Sequence, residues 1–165
     1  MSKKKFFFAL VVSLCFLVLA FDVKVTSGSS MFPSIQDGEI LLVFKLAYQF
    51  PLSIWEKTVF TWKSVRAGDV VLFKNSGRSV VKRVALESGA PLVVYKNGET
   101  TFLCLDNLYL KLSPESYLHL CANGRLHFVP DGYLVVLGDR LDVSHDSRSY
   151  GFVAEKNILG KVLFK

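Results

Sequence analysis

The stretch SVVKRVAL at residues 79–86 indicates the fold class of this chain most clearly. β-Branched residues dominate it, and strand side chains alternate between two faces, so Val80, Lys82 and Val84 share one face. The pattern therefore predicts a β-strand with a lysine between two valines. A lysine in such a run is most often an edge-strand residue that limits aggregation, whereas burial of its face would lower the pKa of the amine.

Runs of similar composition recur along the chain. They are rich in β-branched and aromatic residues, turn-forming residues separate them, and they cover residues 40–44, 69–74, 79–86, 91–95, 133–137 and 158–164. Two Asn-Gly pairs, at residues 97–98 and 123–124, are typical of type I′ hairpin turns. No long segment keeps a helical period, although residues 46–62 are ambiguous. Residues 26–165 are therefore predicted to form one all-β domain with few or no helices.

The N-terminus combines three lysines with an apolar run. The sequence MSKKK is followed by apolar residues at positions 6–21, interrupted by Ser13 and Cys15. Continued as a helix to Val25, this segment would reach about 30 Å, the hydrocarbon thickness of a bilayer. Residues 1–25 are therefore predicted to be a transmembrane signal anchor with a cytoplasmic N-terminus. A cleaved signal peptide is the alternative, but no clear Ala-x-Ala site closes the run.

The charge distribution argues against nucleic acid as a partner. The formal net charge is +6, and residues 1–25, with four lysines and one aspartate, account for half of it. The remaining excess is modest and contains no block of Lys or Arg, unlike the basic surfaces that bind nucleic acids. A weak attraction to anionic lipid headgroups is compatible with this charge.

Two further patterns leave alternatives open. Cys104 and Cys121 would share an oxidising compartment beyond the anchor, where they either pair in a disulfide or stay free. The cysteine spacing gives no sign of a metal site. Residues 41–62 are rich in aromatic side chains, which fit either an ordinary β core or a hairpin that dips into the bilayer interface.

A hydroxyl-rich loop, SGSSMFPSI at residues 27–35, follows the anchor. A serine is a weak nucleophile that needs a base and an oxyanion site. The histidines form no recognisable Ser-His-Asp pattern, and His119 and His127 are expected on the surface of a hairpin around residues 123–124. A lysine replaces histidine as the base when burial keeps its amine neutral. Lys82 is the candidate base.

In combination, four blocks of the chain resemble the bacterial type I signal peptidases, the membrane-bound peptidases of the serine–lysine class. In the order of that family, the blocks are GSSMFPSI at residues 28–35, RAGDVVLF at 66–73, VVKRV at 80–84 and VLGDRLDVSHDSRSYGFV at 136–153. Each block alone is a weak signal, but their order behind an N-terminal anchor is specific. The resemblance implies an antiparallel β-sheet or barrel catalytic domain preceded by a single transmembrane helix.

The resemblance implies roles for the residues of the first and third blocks. Ser30 would be the nucleophile, and Lys82 would be the general base that deprotonates it and later protonates the leaving amine. The backbone N–H of Ser30 would form part of an oxyanion hole, helped by the segment around Gly28. Met31 would cap the substrate side of the loop, while its ordinary structural role is to fill the core.

The last block would supply supporting residues. By the resemblance, Ser144 would hydrogen-bond and orient the amine of Lys82. Asp146 and Arg148 would pair and hold the loop beside the active site, since two residues of alternate spacing can face the same side. The lysine block departs from the family, because ALESGAP at residues 85–91 replaces its usual Gly-x-Pro-Gly-Asp continuation.

The implied function is that of a single-pass membrane-anchored serine endopeptidase in the cytoplasmic membrane. It would cleave signal peptides from exported preproteins after Ala-x-Ala sites, on the extracytoplasmic side, as a monomer without metal or organic cofactor. The substrate would bind in an extended form and add a strand to a sheet edge. One alternative is a specialised relative that matures a narrow substrate such as a pilin or conjugation component. Another is an anchored β domain that binds exported peptides without cleaving them.

Overall fold

Antiparallel strands make up most of the fold. The computed structural model describes residues 3–50, 60–105, 108–121 and 127–164. In chain order, their elements are α1 (Lys3–Ala20), β1 (Phe21–Val25), β2 (Ile40–Phe44), β3 (Gln49–Phe50), β4 (Phe60–Thr61), β5 (Val70–Asn75), β6 (Arg78–Leu86), β7 (Val93–Asn97), β8 (Thr100–Leu105), β9 (Leu108–Leu112), α2 (Pro114–Cys121), β10 (Tyr133–Leu137), α3 (Ser147–Tyr150), β11 (Val153–Ala154) and β12 (Ile158–Phe164).

The main sheet of the described residues has seven strands in the order β1-β2-β12-β5-β6-β10-β11, and each neighbouring pair is antiparallel. A smaller sheet joins β7, β8 and β9, and β3 pairs with β4. Strands β1 and β6 line one cavity although β2, β12 and β5 lie between them in the sheet. The main sheet is therefore strongly curved, and the prediction of a mainly antiparallel β fold is confirmed.

The hairpin of β5 and β6 determines where the lysine of SVVKRVAL lies. Asn75 pairs with Arg78, and Ser76 and Gly77 between them have positive φ angles of 48° and 80°, as a type I′ turn requires. The resulting register places Lys82 opposite Val71, which is fully buried. Since directly paired residues of neighbouring strands point to the same face, Lys82 projects from the core face of the sheet.

Helix α1 ends earlier than the sequence predicted. Residues 21–25, expected to continue the helix to Val25, instead form β1 and pair with β2 along their whole length. The β-branched Val23 and Val25 favour a strand, and the pairing satisfies the backbone groups that a longer helix would have used. Among the described residues, no helix combines the length and the apolar character needed to cross a membrane.

The hairpin predicted at residues 97–98 is present between β7 and β8, but its turn differs. Asn97 pairs with Thr100, so Gly98 and Glu99 form the two-residue turn. Of these two, only Gly98 has a positive φ, 59°. Glycine at the first turn position is the arrangement of a type II′ turn rather than the predicted type I′ turn.

The hairpin predicted around residues 123–124 lies outside the described residues, but the chain before it is helical. His119 belongs to α2 and not to a strand, so its predicted place on a hairpin is wrong. The start of α2 explains the difference. The hydroxyl of Ser113 accepts the N–H of Ser116 at 3.0 Å, and Pro114 occupies the first helical position; both features initiate helices.

The two open alternatives are answered in part. Cys104 and Cys121 are free thiols in the structure, which favours the free state over a disulfide. Residues 51–59 of the aromatic segment lie outside the described residues. Within the described part, Tyr48 is buried and donates to Asp69 Oδ2 at 2.7 Å, as the core interpretation predicts, whereas Trp62 is 47% exposed.

Candidate active site

The loop between β1 and β2, residues 26–39, carries Ser30. Thr26 closes the base of the loop, because its hydroxyl oxygen accepts the N–H of Glu39 at 2.9 Å. The carbonyl oxygen of Ser30 accepts the N–H of Arg140 at 3.0 Å. The serine is thus attached both to its own loop and to the segment that follows β10.

Lys82 is the closest partner of the Ser30 side chain. Its Nζ lies 2.5 Å from Ser30 Oγ, and only 4% of the residue is exposed. Burial lowers the pKa of the Lys82 amine, and the carboxylates of Asp146 and Asp139 partly oppose this effect. In its neutral form the amine is able to accept the hydroxyl proton of Ser30 along the same contact. The structure therefore brings together the predicted nucleophile and base.

Ser144 does not make the hydrogen bond predicted for it. Its Oγ is buried and has no partner at hydrogen-bond distance among the described residues, since Lys82 Nζ is directed at Ser30 instead. The hydroxyl is nevertheless close to the nucleophile. A Cβ added at Gly138 would lie 2.2 Å from Ser144 Oγ and 2.5 Å from the carbonyl oxygen of Ser30. Only glycine fits between them.

Asp146 and Arg148 form the expected pair. The fully buried carboxylate of Asp146 accepts Nε and Nη2 of Arg148, each at 2.9 Å, and the N–H of Gly138 at 3.1 Å. Burial alone would raise the pKa of Asp146, but the bonds from Arg148, the nearby hydroxyl of Ser144 and the bond from Gly138 hold it below its ordinary value. Arg148 also donates to the carbonyl oxygen of Leu141 at 2.7 Å. The ionised pair therefore links α3 to the loop after β10.

The oxyanion side differs from the prediction at Gly28. The N–H of Gly28 donates to Asp37 Oδ1 at 2.8 Å, so it is already occupied. Gly28 instead permits the left-handed backbone of the loop, with a φ of 99°, a region that residues with a Cβ rarely adopt. The N–H of Ser30, in contrast, makes no hydrogen bond within the described residues. It is therefore available to donate to an oxyanion, as the sequence predicted.

Sequence reasoning missed an ion pair beside the dyad. Arg83 donates through Nε and Nη2 to the two oxygens of Asp139, each at 2.8 Å, and through Nη2 to Ser34 Oγ at 3.3 Å. Burial would raise the pKa of Asp139, but Arg83 holds it below its ordinary value. A signal was available, because Arg83 follows Lys82 directly and Asp139 follows Gly138 in the last block.

A cavity of about 260 Å³ adjoins Ser30 and Lys82, and we call it the catalytic cavity. It runs between the residues around Gly28 and the first half of β6, and its lining is mixed. Apolar side chains such as Met31, Ile35, Leu41 and Val80 share it with Lys24, Thr26, Ser27 and Ser79. Met31 both lines the cavity and packs in a buried cluster with Ile35 and Leu41. In the part of the chain that the structure describes, no group of three His, Cys, Asp or Glu side chains is placed to hold a metal ion.

A serine hydroxyl against a buried lysine, a free backbone N–H and an adjoining cavity are the parts of a serine hydrolase with a lysine base. Comparison with known proteins identifies the family. The family model described as signal peptidase, peptidase S26, matches residues 2–165. The chain therefore belongs to the signal peptidase family, peptidase S26. It is a hydrolase that cleaves signal peptides as a serine peptidase, which confirms the predicted activity.

Two relatives agree with this assignment, and one solved structure is reported beside them. Signal peptidase IB of Staphylococcus aureus is 30% identical over 164 residues, which cover 91% of this chain and 78% of that protein. Signal peptidase I of Bacillus caldolyticus is 30% identical over 173 residues, covering 96% and 86% of the two chains. A solved structure of a signal peptidase I from Enterococcus faecalis is 25% identical, with a TM-score of 0.40, and covers 62% of this chain and 98% of that one.

Proposed function

We propose that Ser30 and Lys82 form the catalytic dyad of a membrane-anchored signal peptidase. The observation that carries this assignment is the 2.5 Å contact between the hydroxyl of Ser30 and the amine of the buried Lys82. Burial lowers the pKa of that amine, which increases its neutral fraction at a given pH. A general base must be in its deprotonated form to act, so the low pKa suits the amine to this role.

The reaction then follows acyl-transfer chemistry. The neutral amine of Lys82 takes the proton of Ser30 as its Oγ attacks the scissile carbonyl carbon, and the N–H of Ser30 binds the developing oxyanion. The Lys82 ammonium returns the proton to the leaving nitrogen, which becomes the amino terminus of the mature protein. Lys82 next takes a proton from water, whose oxygen attacks the ester. Collapse releases the carboxylate of the signal peptide and restores the Ser30 hydroxyl.

Ser144 fits the second half of this cycle. Once Ser30 Oγ is an ester oxygen, the amine of Lys82 loses the hydroxyl that it contacts in the free enzyme. The Oγ of Ser144 is buried, unpartnered among the described residues and close to Ser30. It is able to orient the amine without adding a charge that would raise its pKa. Asp146 and Arg148 support this loop through their buried pair.

The residues of an Ala-x-Ala cleavage site would enter the catalytic cavity. This cavity adjoins both Ser30 and Lys82, so it lies where the residues before the scissile bond must bind. Residues 79–82 of β6 line it, and β10 pairs with β6 only from Arg83 to Leu86. Among the described residues, the edge of β6 beside Lys82 is therefore open to an added strand. An extended signal peptide would bind there by β-strand addition.

The N-terminal region would anchor the monomeric enzyme to the cytoplasmic membrane, with residues 1–25 as the anchor and residues 26–165 as the extracytoplasmic peptidase domain. The apolar part of α1, residues 6–20, reaches about 22 Å, less than the roughly 30 Å of a bilayer core. Val23, Val25 and Ile40 extend this apolar surface, since each is more than 60% exposed. Cleavage of the peptidase domain by protease added outside intact spheroplasts would test this topology.

Cleavage of a model preprotein tests the dyad. Ser30→Ala and Lys82→Ala are compared with the matched controls Ser29→Ala and Lys74→Ala, whose side chains are exposed on the same loop and on the neighbouring strand β5. We expect cleavage by the wild type and both controls, with the new N-terminus after an Ala-x-Ala site, and no cleavage by the two dyad variants. Cleavage by Ser30→Ala or Lys82→Ala at the wild-type rate would overturn the assignment.

A further inference from the structure

A second cavity, of about 290 Å³, lies on the other side of β6 from Lys82, and we call it the outer pocket. Strand side chains alternate, so Arg83 and Ala85 project away from the face that carries Lys82. The lining is mainly apolar with one ion pair at its edge, and comprises Arg83, Ala85, Leu105, Leu108, Leu137, Gly138, Asp139 and Leu141. Leu108 is 45% exposed there.

The outer pocket adjoins the active site through Gly138. This residue lines the pocket, and a Cβ added to it would meet the carbonyl oxygen of Ser30 and the hydroxyl of Ser144. The catalytic cavity instead lies on the side of Ser30 that faces Gly28 and β1. The two cavities therefore flank the nucleophile from different directions.

The pairing of β6 limits the direction that the substrate peptide can take after the scissile bond. A peptide that adds to the edge of β6 at residues 79–82 reaches Leu137, the last residue of β10, which pairs with Arg83. Beyond this point β10 already occupies the edge. The core face of the sheet holds the buried Lys82, opposite Val71. The peptide after the scissile bond is thus directed toward the outer face and its pocket.

We propose that the outer pocket binds a large apolar side chain from the first three residues of the mature protein. This inference rests on the proposed signal peptidase activity and adds a specificity on the side of the scissile bond opposite the Ala-x-Ala site. The partly exposed leucines of the pocket lose contact with water when such a side chain enters, which favours binding. A glycine or an aspartate at the same position would leave the apolar lining exposed or introduce an uncompensated charge.

Peptide substrates test this specificity with the full chain in detergent micelles. The peptides share one sequence through the Ala-x-Ala site and carry Leu, Gly or Asp at each of the first three positions after the bond. At one of these positions we expect kcat/KM for Leu to exceed that for Gly at least about 10-fold, the lower end of the range for apolar discrimination in a pocket. In Leu108→Ser and Leu141→Ser, that ratio should fall to about 2-fold.

Leu118→Ser is the matched control. Leu118 lies on α2, away from the outer pocket, and is 54% exposed, close to the value for Leu108. This control should retain the wild-type ratio. Cleavage at the correct bond with equal rates for Leu and Gly at all three positions would overturn the outer pocket alone, as would a ratio that both pocket variants leave unchanged. Failure of the wild type to cleave any of the peptides would instead overturn the proposed activity.

Discussion

Lys82 and Ser30 are 52 residues apart in sequence, and the amine of one lies 2.5 Å from the hydroxyl of the other. The tight turn of the β5–β6 hairpin and the closed loop of Ser30 produce this contact from two separate parts of the fold. The same arrangement places an ionisable amine on the core face of a sheet, where it is only 4% exposed. In the proposed dyad, the burial that would suit the amine to catalysis therefore lowers the stability of the fold.

Replacement of Lys82 by methionine should abolish cleavage and raise the melting temperature near pH 7. Because burial lowers the pKa of the Lys82 amine, its ammonium form destabilises the folded state. That penalty is full below the lowered pKa of the folded state and disappears as the pH rises to the ordinary value of 10.5. Methionine carries no such penalty. Each kcal/mol gained corresponds to an increase of about 2–4 °C in a domain of this size.

Thermal unfolding at several pH values measures this effect. The difference in melting temperature between Lys82→Met and the wild type should shrink as the pH rises from 7 toward 10. Lys74→Met, at an exposed position of the neighbouring strand, is the control and should show no comparable gain. A variant Lys82→Met less stable than the wild type at pH 7 would contradict the prediction.

Removal of the negative charge at Asp139 should shift the pH dependence of cleavage. The carboxylate of Asp139 favours the charged form of Lys82, opposing the effect of burial. In Asp139→Asn the pKa of Lys82 should therefore fall further, and the positive Arg83 left behind acts in the same direction. Because only the neutral amine is active, the acidic limb of kcat/KM should move to lower pH.

The pH profile of kcat/KM for a model peptide provides the measurement for Asp139→Asn. Asp131→Asn is the control, since Asp131 is exposed and does not contribute to the pKa of Lys82. The control should keep the wild-type profile. An acidic limb that stays in place or moves to higher pH in Asp139→Asn would show that this carboxylate does not act on Lys82.

Alanine at Gly138 and at Gly28 should have different effects. At Gly138 the new methyl group would lie 2.2 Å from Ser144 Oγ and 2.5 Å from the carbonyl oxygen of Ser30. This displaces the nucleophile, and a misplacement of about 1 Å lowers activity on the order of 100-fold. At Gly28 no atom lies within 4 Å of the new methyl group, but φ is 99°. The cost there is backbone strain of about 1–3 kcal/mol.

Unfolding and kinetic measurements on the two variants separate these effects. Gly138→Ala should lose most of kcat, whereas Gly28→Ala should lose mainly stability and a smaller part of its activity. Equal kcat values in the two variants would contradict the contact that Gly138 makes with Ser30.

The strands and the dyad could be predicted because their signals are local. Alternation in SVVKRVAL predicts the face of Lys82 without knowledge of its neighbours, and residues 40–44, 133–137 and 158–164 form strands with the predicted bounds. The order of the four blocks then relates Lys82 to Ser30. The start of α2 was also local, but the N-cap of Ser113 was overlooked among signals for strands.

The features that the sequence did not predict depend on contacts between groups that are distant in the sequence. Gly28 gives its N–H to Asp37, nine residues further on, and no pattern in the loop indicates that this donor is occupied. Arg83 and Asp139 are 56 residues apart, and their pair follows from the register of β6 against β10. The hydrogen bond predicted for Ser144 fails for the same reason. Proximity in a motif does not determine a distance below 3.5 Å between two side chains.

Ser144→Ala should separate a catalytic role of this hydroxyl from a structural one. In the free enzyme the buried Oγ has no partner at normal hydrogen-bond distance among the described residues, so its removal breaks no short bond, although it takes a hydroxyl from beside Asp146. The melting temperature should therefore change little. If Ser144 orients the amine of Lys82 after Ser30 is acylated, kcat should still fall, by about 10- to 100-fold, less than the roughly 100- to 10,000-fold that a general base itself contributes. Ser149→Ala, at an exposed position of α3, is the control and should change neither quantity.

Single-turnover cleavage by Ser144→Ala, with separate measurement of acylation and deacylation, locates the defect, which we expect in deacylation. A loss of melting temperature with unchanged kcat would mean that Ser144 only supports the fold.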